Sequence, residues 1–192
     1  TTIKQEDLKR DFVVLGDSHS LSAWSAEACL QRNDGQTLNG AINSGFDYWL
    51  QKFANKKDIK TLRTYFGNID IRHHVCRLYS GEEAQLSAIK ELIKRYFKEL
   101  EKTKQKYGIK EIQIVAALPI ENISRKLPKT GYYKGQPYWG TWDERMMIAL
   151  EFNRICRSIC DRLADYTFIE WPSKFVNSRG ELDFAFMERP QS

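Results

Sequence analysis

Three polar clusters sit behind short apolar runs in the first third of the chain: Gly16-Asp17-Ser18-His19, Asn43-Ser44-Gly45 and Gly67-Asn68-Ile69-Asp70. A serine in a tight turn between a strand and a helix exposes its hydroxyl, and the backbone N–H groups around it face whatever that hydroxyl attacks. A glycine at a second turn lets a substrate oxygen approach another N–H, and an asparagine amide at a third adds one more donor. Ser18, Gly45 and Asn68 therefore have the types needed for a nucleophile within an oxyanion hole. The plainer alternative is that Asp17 and Ser18 only cap a helix, as such residues commonly do.

Such chemistry also needs a base. The chain has three histidines, His19, His73 and His74. His19 directly follows Ser18, so its side chain is expected to point away from that of Ser18 and to serve the helix start or packing. Asp70-Ile71-Arg72-His73-His74 follows the third cluster and is placed to reach the same crevice. The His73/His74 pair could also be a fragment of a metal site, but no third clustered ligand accompanies it, so no metal or cofactor is called for. Arg72 could bind an anionic group, although pairing with Asp17 or Asp70 is the expected use.

The elements that must position these residues alternate. Asp11 to Gly16 reads as a strand, followed by a helix over 21–30; residues 39–45 repeat strand and turn more weakly, with helical spacing from Phe46 to Ala54. Leu62 to Phe66 reads as the third strand. Ser80-Gly81-Glu82-Glu83 has the form of a capping box and opens a long helix with Ile89, Leu92, Ile93, Tyr96, Phe97 and Leu100 on one stripe. Gly108 ends it, and 111–119 reads as an apolar strand buried on both faces. Thr141-Trp142-Asp143-Glu144 is a second capping box before another helix, and Tyr166 to Trp171 is the last strand. Strands alternating with helices imply right-handed βαβ units and a parallel sheet covered on both sides. In such sheets ligands gather beyond the carboxyl ends of the strands, where the three clusters fall. Residues 119–140 show no period; Tyr132, Tyr133, Tyr138 and Trp139 lie there among Lys126, Lys129 and Lys134, a composition suited to stacking on sugars or bases, to shielding a site, or to packing back on the domain.

Taken together, these residues resemble the SGNH (GDSL-like) hydrolases. Gly16-Asp17-Ser18 matches the family's first block, which implies Ser18 as the acyl-accepting nucleophile. Ile42-Asn43-Ser44-Gly45 is similar to the second, implying Gly45 as an oxyanion donor. Gly67-Asn68-Ile69-Asp70 has the residue types of the third in shifted order, implying Asn68. The resemblance implies one domain over 1–192 with a flavodoxin-like three-layer α/β/α sandwich around a mainly parallel five-stranded sheet. The family's last signature is an Asp and a His three residues apart near the C-terminus, the His as base and the Asp as its orienter. The stretch from Gly180 carries Asp183 and Glu188 but no His. The expectation is a base beyond Ser192 in a longer chain, with His73 or His74 as the substitute.

The 192 residues are 42% hydrophobic and 29% charged, which excludes disordered and low-complexity classes. There is no apolar run of membrane-spanning length and no apolar leader, pointing to the cytoplasm. Cys29, Cys76, Cys156 and Cys160 are too scattered for a disulfide framework and read as buried thiols. A net charge of +5 is a mild excess, and no nucleic-acid motif accompanies it. The sequence thus predicts a serine esterase acting on a small O-acyl, plausibly acetyl, ester, with the aromatic loop suggesting a carbohydrate. Its alternative is an inactive SGNH-like domain that binds a glycan or another polyanion.

Overall fold

The computed structural model describes residues 11–25, 27–54, 59–120, 134–135 and 138–183. Five strands form one fully parallel sheet in the order β2-β1-β3-β4-β5: β1 Phe12–Gly16, β2 Cys29–Arg32, β3 Thr61–Tyr65, β4 Glu111–Val115 and β5 Tyr166–Ile169. The helices are α1 Leu38–Ser44, α2 Asp47–Ala54, the short α3 Cys76–Leu78, α4 Glu82–Tyr107 and α5 Trp142–Cys160. This is an α/β fold with a central five-stranded parallel sheet flanked by helices, as the sequence predicts. Among the described residues no helix is long and apolar enough to cross a membrane.

The strand register decides what each face can bury, because residues paired across a parallel ladder project to the same side. Val13, Leu62, Ile112 and Tyr166 form one row, and Leu15 and Ile114 extend that face. Against it pack Leu38 and Ala41 of α1, Leu50 of α2, Ile89, Ile93 and Tyr96 of α4, and Ile148 and Phe152 of α5. The opposite face carries Val14, Arg63, Gln113 and Thr167 in one row. Arg63 donates from Nε to Gln113 Oε1 at 2.8 Å, and Gln113 Nε2 donates to Glu111 at 2.8 Å. The strand β4 is therefore buried on one face over most of its length, not on both. Its alternation of Glu111, Ile112, Gln113 and Ile114 is a one-sided pattern, and only Val115, at its end, is buried on the polar side.

Three element readings are overturned. Residues 21–30 are not one helix: a 3-10 turn covers Ser20–Ala23, and the chain then enters β2. Residues 39–45 are not a strand and turn but α1, started by Thr37, whose Oγ1 accepts from Gly40 N at 2.9 Å. The long helix begins at Glu82 after Gly81, without the bond expected from Ser80. The box at Thr141 does form, since Thr141 and Glu144 exchange both bonds. The helix stripes hold because they are long and bury a continuous apolar face, whereas β2 is a four-residue edge strand with only Cys29 buried.

Candidate active site

β1 and β3 approach each other so closely at their carboxyl ends that position 16 has room only for glycine. A Cβ there would lie 2.5 Å from the Tyr65 carbonyl oxygen and 2.7 Å from Ser20 Cβ. The chain then turns. Asp17 N donates to Tyr65 O at 3.1 Å, and Ser20 returns to Asp17 O through its N–H at 3.1 Å and its hydroxyl at 2.7 Å.

The Asp17 carboxylate is wholly buried and holds the turn from inside. Its Oδ1 accepts from His19 N at 2.8 Å and lies 3.1 Å from His19 Nδ1; its Oδ2 accepts from Asn68 Nδ2 at 3.1 Å. Asn68 Oδ1 in turn accepts from Leu118 N at 2.7 Å, just past β4. That last bond fixes which end of the amide faces Asp17, because only a carbonyl oxygen can accept from Leu118. The outcome is a rigid loop with Ser18 at its apex, half-buried, its hydroxyl without a hydrogen-bond partner among the described residues. Asp17 thus touches the Ser18 turn rather than the Ser18 hydroxyl, and Asn68 stands beside that turn with one Nδ2 hydrogen on Asp17.

Tyr65, which sequence reasoning did not select, belongs to the same cluster. It is fully buried, and its ring lies 6.0 Å from that of Trp171. Burial, with the Asp17 charge next in weight, pushes its pKa far above the usual range. Its one sequence signal is its place at the end of β3, two residues before Gly67-Asn68.

The second strand end lies elsewhere than the sequence suggests. β2 ends at Arg32, and Asn33 binds Gly16 O through both its N–H, at 2.9 Å, and its side chain, at 3.3 Å. Asn33, rather than Asn43 through Gly45, therefore stands next to the strand end that leads into the Ser18 turn. Gly45 closes the seven-residue α1, about 10 Å of helix from that end. Its N–H donates to Ile42 O at 3.1 Å, and its neighbour is Glu99 of α4. Gly45 is not brought together with Ser18.

Asp70 is buried at the start of α1, where its Oδ2 accepts from Leu38 N at 2.6 Å and its Oδ1 from Asn39 N at 3.1 Å. Burial nevertheless pushes its pKa up to about 6, against the lowering effect of those bonds. Asp70 starts a π-helical turn over Asp70–Val75 that carries Arg72, His73 and His74. His73 is buried, and desolvation, followed by the charges of Arg72, His74 and Arg145, holds its pKa down to about 3. His74 Nδ1 lies 3.2 Å from Arg77 Nη2, and burial with that charge lowers its pKa as well. Neither ring reaches the Ser18 hydroxyl. His19 is the histidine whose ring rests on Asp17. The Arg72 carbonyl accepts from Trp139 N at 3.0 Å.

Of the long loop, Tyr132, Tyr133, Lys126 and Lys129 lie outside the described residues, as does Glu188. Tyr138 packs back, with the Arg145 guanidinium 3.7 Å from its ring centre. Asp183 N donates to Phe175 O at 2.9 Å. Among the described residues no group of three His, Cys, Asp or Glu side chains is placed to hold a metal.

Solved structures share this architecture. A protein from Streptococcus pneumonia, provisionally described as a platelet activating factor, superposes with a TM-score of 0.61 at 13% identity, over 94% of this chain and 74% of that one. A gut microbial diltiazem-metabolizing enzyme superposes with a TM-score of 0.50 at 14% identity; 85% of this chain matches 37% of that one. An extracellular lipase from Streptomyces rimosus gives 0.47 at 12% identity, over 84% of this chain and 80% of that one. The likeness is one of fold. No protein-family model and no curated protein matches the chain.

Proposed function

We propose that the protein is a serine hydrolase of small O-acyl esters of the SGNH type, with Ser18 as its nucleophile. The observation that carries the reading is the Ser18 turn: a hydroxyl without a partner among the described residues, at the carboxyl end of a central strand, held by the buried relay from Asp17 through Asn68 to Leu118 N. Buried polar bonds of this kind fix a loop before substrate arrives, which is what acyl transfer requires of its nucleophile. In the first step Ser18 Oγ bonds to the acyl carbon and the alcohol leaves; in the second, water releases the acid and restores the hydroxyl. The Ser18 N–H and the Asn68 amide are the donors we assign to the developing oxyanion.

Among the histidines of this chain we assign the proton to His19, which makes no bond to the Ser18 hydroxyl in this structure; the assignment rests on its contact with Asp17. The Asp17 carboxylate beside its Nδ1 orients the ring and leaves Nε2 as the basic nitrogen, the division of labour of an orienter and a base. His73, with its pKa held down to about 3, is a poor acceptor at neutral pH. Hydrolysis of p-nitrophenyl acetate, compared between the wild type and Ser18→Ala, tests the proposal. A Ser18-dependent rate at least about a hundredfold above that of the variant is expected, with a fluorophosphonate adduct at Ser18. Equal rates and no adduct would overturn it, and a rate kept in His19→Ala but lost in His73→Ala or His74→Ala would move the base.

A further inference from the structure

We propose that a cleft on the polar face of the sheet, next to the Ser18 turn, holds a sugar ring of the substrate by stacking it on Trp24 and Trp171. The inference rests on the esterase reading for the position of the ester, but not for binding itself. The cleft measures about 220 Å³, below the ~300 Å³ at which pockets for drug-sized ligands begin, so its scale is that of a single ring. Its lining includes Ser22 and Trp24, at the end of the 3-10 turn that follows the Ser18 turn, together with Arg63, Glu170, Trp171 and Phe175. The 3-10 helix that carries Ser22 begins at Ser20, two residues after Ser18.

Both indoles are fixed before any ligand arrives. Trp24 Nε1 donates to Ala28 O at 2.8 Å, and Trp171 Nε1 donates to Ala116 O at 3.0 Å. Phe175 meets Trp171 edge-on at 5.9 Å. Trp24 nevertheless remains 44% exposed, so a large aromatic ring is held rigidly in solvent instead of joining the core. Such planes bind at little entropic cost. The polar groups decide between occupants. Arg63 donates to Ala23 O and Gln113 Oε1, and Glu170 pairs with Arg157; an acyl chain laid over these groups would strip the water from their remaining polar atoms and replace it with nothing. A sugar presents C–H groups to the rings and hydroxyls to the guanidinium and the carboxylate.

The test uses acetylated xylotetraose, mannotetraose and chitotetraose alongside p-nitrophenyl acetate. In Trp24→Ala or Trp171→Ala, the ratio of kcat/KM on the preferred glycan to that on p-nitrophenyl acetate is expected to fall about five- to tenfold, through KM. Trp24→Phe, which keeps a ring, is expected to retain most of it. Calorimetry of the three unacetylated tetraoses with Ser18→Ala reads binding without turnover. Trp24-dependent binding in a protein that hydrolyses nothing would sustain the cleft and overturn the esterase. Hydrolysis with an unchanged ratio for all three glycans, or no tetraose binding, would overturn the cleft.

Discussion

Replacing Asp70 by asparagine separates two opposing influences on this carboxyl: burial, which disfavours its charge, and the N–H groups of Leu38 and Asn39, which favour it. Burial wins, raising the pKa from 3.8 to about 6. At about 1.4 kcal/mol per unit, the difference corresponds to about 3 kcal/mol between the two protonation states. The sign follows from proton counting. Between pH 3.8 and 6 the unfolded chain has released a proton that the folded chain keeps, so stability falls as pH rises through that window and is flat above it. Asparagine does not titrate. Urea unfolding at a series of pH values should therefore show the stability of Asp70→Asn, relative to wild type, rising by about 3 kcal/mol from pH 3.5 to pH 7. For a chain of this size that is a gain of about 6–12 °C in relative Tm. A flat difference, or one in which the wild type gains as pH rises, would refute the reasoning and show that the two backbone bonds outweigh burial.

Asn68→Ala leaves Leu118 N and Asp17 Oδ2 without their partners inside the protein; a loss of about 2–4 kcal/mol in urea unfolding is expected, and a loss below about 0.5 kcal/mol would mean that the relay does not hold the turn. Gly16→Ala forces a Cβ against the Tyr65 carbonyl, so a cost of about 1–3 kcal/mol should appear in the same assay; a neutral result would show that β1 and β3 can separate there. Burial pushes the Cys76 thiol up to about 11 and the Cys160 thiol up to about 12. Titration of the native protein with an aromatic disulfide reagent at pH 7.5 should leave both unreacted over minutes, with reaction following denaturation.

What the sequence reveals depends on how local the physics is. α4 and α5 are legible because an apolar stripe repeated over 26 and 19 residues has one periodicity to satisfy. The Ser18 turn is legible too, since Gly, Asp and Ser after a β-branched run have few other uses. β2 is hidden because Ala28, Cys29 and Leu30 suit a helix as readily as a strand; the pairing with Val13 and Val14 that decides the matter comes from outside the segment. The identity of α1 is hidden for a related reason. Two of the N–H groups at its start are satisfied by Asp70, more than 30 positions away, and Gly40 and Gly45 mimic a strand's turn. Misplacing α1 carries the error to Gly45. The polar side of β4 was visible as the alternation of Glu111 and Gln113 with Ile112 and Ile114, but the apolar run from Val115 to Leu118 masks it. The bond between His19 and Asp17 could be found from the spacing of two alone only by assuming the turn that creates it.

The relay beneath Ser18 also orders events during folding. Its two side-chain bonds join Asp17 to Asn68 across 51 positions and Asn68 to Leu118 across 50, so the first waits for β3 to dock on β1 and the second for β4 to dock on β3. Loop closures of that length make such contacts slow, whereas α4 can form from neighbours along the chain. A refolding molecule therefore regains helix before it regains a rigid Ser18 turn. Any activity that depends on Ser18 becomes a clock for completion of the sheet's centre, lagging behind the return of helical signal.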